Sequence, residues 1–100
     1  MLDHETLKSV AEQLMSGTEV RVEGKISRVE RTGKNRFRTV RFVMGGKEYQ
    51  AIEQNAEKPS RWGQLAREGH RVVQFRDVVS GKYVAVVVDG NVIEYERPDS

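Results

Sequence analysis

Apolar residues recur first at helical spacing and then at a spacing of two. Leu7, Val10, Ala11 and Leu14 stand at i, i+3, i+4 and i+7, a single apolar stripe that predicts a helix over about 4–16. Asp3 is placed to cap its free N–H groups, Leu2 and Leu7 have the spacing of a hydrophobic staple, and Gly17 is a candidate left-handed terminator. Val20, Val22 and Ile26 then alternate with charged residues, the pattern of a half-buried strand. Gly24 interrupts that row and Val29 is out of phase with Ile26, so one long strand is expected over 18–31, bent near Gly24 and bulged near Ser27-Arg28.

Turn residues divide the rest of the chain. Thr32-Gly33-Lys34-Asn35 predicts a turn, and a second strand follows over 36–44. Phe37, Val40, Phe42 and Met44 are its inward candidates; a bulge near Thr39 would put Phe37 and Val40 on one face. Gly45-Gly46 reads as a hairpin into a third strand, Lys47–Glu53. A short helix is expected over 59–68 with Trp62, Leu65 and Ala66 on its apolar face, ended by Gly69. Strands over 71–79 and 82–88 follow, then Asp89-Gly90 and a last strand from Val92 to Tyr95. The uncharged run Tyr83–Val88 reads as a central strand; on an edge it would pair with a second copy and make a homo-oligomer.

These elements predict a mainly β chain: a small five- to six-stranded antiparallel barrel with an N-terminal helix and a short helix between the third and fourth strands. Residues 1–17 would be the amphipathic helix packed on a barrel formed by residues 18–97. One hundred residues fit one core. The absence of cysteine excludes a disulfide scaffold, a thiolate metal site and a cysteine nucleophile. The opening Met1-Leu2-Asp3-His4-Glu5 has neither the basic segment nor the apolar run of a signal peptide, and no stretch is long enough to span a membrane. A cytoplasmic location with no membrane partner is therefore expected.

The distribution of charge is more informative than its total. The net charge is only +2, yet residues 21–41 carry Arg21, Lys25, Arg28, Arg31, Lys34, Arg36, Arg38 and Arg41 against Glu23 and Glu30. Such a cluster predicts a basic face for a polyanion. His4 and His70 are the only histidines, and the chain has no phosphate loop and no nucleophile elbow. No catalytic residue, metal or cofactor is therefore assigned, and a non-enzymatic role is expected.

Val20-Arg21-Val22-Glu23-Gly24-Lys25-Ile26, the stretch Phe37–Ile52 around Gly45-Gly46, and Trp62–Val88 together resemble the oligonucleotide/oligosaccharide-binding (OB) fold, a five-stranded, partly open barrel. The resemblance covers about residues 18–88. It implies nucleic-acid binding, with single-stranded DNA or RNA preferred, along the second strand and the loop before it. Arg28, Arg31, Lys34, Arg36, Arg38 and Arg41 would meet phosphates, and Phe37 would offer a stacking platform, with Tyr49 and Tyr83 next. Sequence selectivity should be low, because few neutral hydrogen-bonding side chains accompany the arginines in the sequence. The alternative is an interaction or assembly module whose basic stripe docks an acidic partner, or is covered by the chain's own acidic first helix. Dispersal of the arginines into pairs with glutamates would favour that alternative.

Overall fold

The computed structural model describes residues 2–34 and 36–94. Helix α1 (His4–Ser16) precedes strands β1 (Glu19–Val22), β2 (Lys25–Arg28), β3 (Glu30–Thr32), β4 (Phe37–Met44) and β5 (Lys47–Glu53). Helix α2 (Arg61–Arg67) follows, and then β6 (Val72–Asp77), β7 (Tyr83–Val88) and β8 (Asn91–Glu94). Tyr95 and the tail beyond it lie outside the described residues. Asp3 caps α1 by accepting the Thr6 N–H at 2.7 Å. Gly17 ends α1 differently from the expectation: it is extended, at φ −140°, and its N–H closes on the Gln13 carbonyl.

The chain is mainly β, but the barrel does not close. Strands β3 to β8 form one antiparallel sheet in sequential order, with β3 and β8 as its edges, and β1 and β2 form a separate hairpin. Among the described residues no pairing joins the two edges. The reason lies in what covers the apolar face. Leu7, Val10, Ala11 and Leu14 of α1 and Val20 and Val22 of β1 pack on Val40, Phe42, Ala51, Phe75 and Val87 of the sheet. That face is sealed by a helix and a hairpin, so the sheet need not curl onto itself. Burial of Leu7, Val10 and Leu14 is worth about 1.5–3 kcal/mol each. Helix α1 is therefore part of the core and not a removable cover for a basic face.

The expected long first strand is three strands. Glu23 and Gly24 both have positive φ, 50° and 77°, which makes them a two-residue hairpin turn between Val22 and Lys25. Alternation restarts after the turn, so Ile26 points outward at 54% exposure. The second helix consequently falls between the fifth and sixth strands, not between the third and fourth. Strand β7, the Tyr83–Val88 run, is flanked by β6 and β8 and is an interior strand.

The opposite face of the sheet is covered in part. Trp62, with Leu65 and Ala66 of α2, packs on Val72, Val86, Val88 and Ile93, all from β6, β7 and β8. The remaining part of that face, over β4, β5 and the end of β6, carries the polar side chains Thr39, Arg41, Gln50, Gln74 and Arg76.

Candidate nucleic-acid interface

Strict alternation along β4 separates its residues into two sets. Val40 and Phe42 face α1, whereas Phe37, Thr39 and Arg41 face the α2 side. The bulge expected near Thr39 is absent: Thr39 pairs with Ile52 and Val40 with Ala51 in unbroken register. Phe37 is thereby kept out of the core that holds Val40. A register shift lies instead between Phe75 and Arg76, where β6 meets β7.

Strand pairing assembles two cross-strand rows on this face. Thr39, Ile52 and Gln74 form one, and Arg41, Gln50 and Arg76 form the next, with Tyr83 opposite Arg76 on β7. A hydrogen-bonded chain links the rows: Arg76 Nη2 donates to Gln50 Oε1 at 2.7 Å, and Gln50 Nε2 donates to Thr39 Oγ1 at 2.8 Å. This chain fixes which way the Gln50 amide points. Arg76 is half-buried, has no carboxylate partner among the described residues, and leaves its Nε–H without an acceptor.

A cleft of about 420 Å³ opens beside these rows. Phe37 and Tyr83 line it together with Ile52, Trp62 and the amides of Gln54 and Gln74. Gln74 Nε2 donates to Gln54 Oε1, and Gln54 Nε2 donates to the Asn55 carbonyl at 3.0 Å, so these amides are also oriented. Gly33 is required under Phe37: its φ is 61°, and a Cβ there would run into the Phe37 ring. The wall built by residues 54–60 is tied to α2 through Arg67, whose Nη1 donates to the carbonyls of Ala56 and Lys58 at 2.6 and 2.9 Å. Gly63 of α2 approaches that wall so closely that a Cβ would collide with the Lys58 carbonyl oxygen. Beyond Gln50, a smaller cavity of about 230 Å³ is lined by Arg28, Glu30, Thr39, Arg41 and Gln50.

The expected site residues are only partly brought together. Arg28 and Arg41 meet at the smaller cavity, and Phe37 lines the larger one. Arg36 stands 5.5 Å from the centre of the Phe37 ring but is paired with Glu57 at 3.0 Å. Arg41 lies 3.9 Å from Glu48, the outer limit of an ion pair between exposed groups. Lys34 is exposed in the turn after β3, at φ 62°. Arg31 and Arg38 sit opposite each other on the α1 side, and Arg38 donates to the Met15 carbonyl at 2.7 Å, binding the C-terminal end of α1. Tyr49 is a core residue at 5% exposure, stacked on Phe42 with ring centres 5.8 Å apart. The run Arg28–Arg41 is thus split between two faces by the period-two alternation of the strand that carries most of it.

Arg76, Gln50, Gln54 and Gln74 were missed as site residues because they come from distant segments. The available signal was phase: Gln74 and Arg76 alternate with Val73 and Phe75, so they face away from the main core. Three glutamines now accompany the arginines, which the sequence run alone did not suggest. Among the described residues no group of three His, Asp or Glu side chains is placed to hold a metal, and no helix is long and apolar enough to cross a membrane. Compared with protein-family models, curated proteins and solved structures, the chain matches none.

Proposed function

We propose that the protein is a non-catalytic module that binds single-stranded nucleic acid along the open part of the α2-side sheet face. The observation that carries this reading is a cleft walled by aromatic rings and oriented amides, contiguous with the row Arg41–Gln50–Arg76. Exposed bases stack on aromatic faces and bond to amide edges, while arginines meet phosphates and release counterions. The resemblance of residues 18–88 to OB domains supports the same ligand class by analogy.

The interface differs in composition from the basic run that first suggested it. Arg28, Arg41 and Arg76 are its phosphate contacts, and Phe37 and Tyr83 its platforms. Titration of a labelled single-stranded oligonucleotide, read by anisotropy at low and moderate salt, tests the reading. Binding is expected to weaken with salt and to fall in an Arg28→Ala/Arg41→Ala variant that keeps the wild-type urea midpoint. Binding unaffected by that double substitution moves the interface elsewhere. The rival, docking of an acidic protein partner, draws support from the Arg36–Glu57 and Arg41–Glu48 pairs. It gains if no nucleic acid binds even at low salt.

A further inference from the structure

We propose that the cleft is a one-nucleotide subsite: it takes a single unpaired base, and Arg76 holds the adjoining phosphate. This inference rests on the nucleic-acid reading above and narrows it. Three features carry it. The first is size: about 420 Å³ lies within the range of sites that enclose one small ligand. The second is wall chemistry. Phe37, Tyr83 and Ile52 give apolar surface for a flat ring, while Gln74 keeps its carbonyl oxygen and Gln54 keeps one N–H for a base edge once their mutual bond and the bond to Asn55 are made.

The third feature is Arg76. A half-buried guanidinium normally faces a carboxylate, because an uncompensated charge away from water is costly. Here its guanidinium donates to a neutral amide, Gln50, and its Nε–H is buried without an acceptor. Tyr83 stands directly across from it in the strand register and also lines the cleft. The phosphate of a nucleotide whose base sits in the cleft would therefore meet a cation that has no carboxylate partner among the described residues. Its position is held from behind by Gln50 and Thr39.

Trp62 is the chain's one tryptophan and lines the cleft, so its fluorescence reports occupancy directly. Three probes of equal phosphate number are titrated: oligothymidylate, an abasic oligomer and a hairpin duplex. The subsite predicts that oligothymidylate binds about tenfold more tightly than the abasic oligomer, the advantage of one base–aromatic stack, and quenches Trp62. It predicts the weakest binding for duplex, whose bases are stacked inside. Arg76→Gln should weaken both single-stranded probes and lower the salt slope by about 0.7, one phosphate contact, whereas Arg76→Lys should keep that slope. Equal affinity for abasic and base-bearing oligomers overturns the subsite and leaves nucleic-acid binding standing as a charge effect. Failure of every probe to bind at low salt overturns the nucleic-acid reading itself. The abasic comparison needs no variant, so it decides even if Arg76→Gln unfolds the protein.

Discussion

The two aromatic candidates that flank the basic strand have opposite roles. Tyr49 is locked in the core against Phe42, and Phe42 in turn meets Phe75 edge-on at 6.2 Å. Truncating Tyr49 to alanine removes a buried ring stacked on Phe42, the centre of that cluster, and should cost about 3–5 kcal/mol, read as a fall in urea midpoint. Phe37→Ala should leave that midpoint nearly unchanged and weaken oligothymidylate binding about tenfold, because its ring serves the cleft. Asp77 carries a separate, pH-dependent role. Its buried carboxylate accepts from Lys47 at 2.8 Å and from the backbone N–H groups of Val79 and Ser80. The bond from Lys47, then that from Ser80, holds its carboxyl below the usual range. A carboxyl lowered in the folded state binds protons less readily than in the unfolded chain. Its contribution is therefore complete above the ordinary Asp value of about 3.9 and is lost as pH falls through the folded value. The stability gap between wild type and Asp77→Asn should be wide at neutral pH and close in acid. An equal gap at every pH between neutrality and strong acid would show that the ion pair is not its source.

At the scale of elements, periodicity was legible and strand phase was not always. The stripe Leu7–Val10–Ala11–Leu14 identified α1, because four apolar residues at helical spacing have one way to be buried together. The segment 18–31 misled because Glu23-Gly24 reads equally as a bend within a strand or as a hairpin turn. Only the positive φ of both residues separates the two, and glutamate does not advertise it. The same ambiguity, one residue of phase, had left Phe37 both an inward candidate and a platform candidate, of which the unbroken register keeps only the cleft side, and it moved Arg38 from the interface to the end of α1. The cleft itself was illegible, since Gln54, Gln74 and Tyr83 meet Phe37 only through long-range pairing. Two element-scale predictions follow from the packing. Deleting residues 2–16 should abolish the cooperative urea transition, as α1 supplies one side of the core. Gly63→Ala should cost about 1–3 kcal/mol by overpacking, and should weaken oligonucleotide binding by displacing the wall that Arg67 secures; unchanged fluorescence of Trp62 in that variant would show that the wall had not moved.

For the whole molecule, the proposed nucleic-acid binding turns on how many phosphates could be met at once. A net charge of +2 gives little long-range attraction, so affinity must come from local contacts. If all eight basic residues between Arg21 and Arg41 acted as one stripe, each would release counterions from a single strand. The logarithm of affinity would then fall against the logarithm of salt with a slope of about −6. The fold does not permit that. Arg38 is bound to the Met15 carbonyl, Arg36 to Glu57, and Arg31 lies on the α1 side with Arg38. Arg21 and Lys25 stand on the separate β1–β2 hairpin and Lys34 in the turn after β3, so of the eight only Arg28 and Arg41 line the open face, where Arg76 joins them; three contacts predict a slope of about −2. Binding curves for one oligothymidylate across a range of salt concentrations separate these values cleanly. A slope near −6 would mean that the dispersed charges act together and that Arg38 leaves α1 on binding. A slope near −2 that falls toward −1 in the Arg41→Ala/Arg76→Gln variant assigns the phosphate contacts to the row of side chains that Gln50 joins.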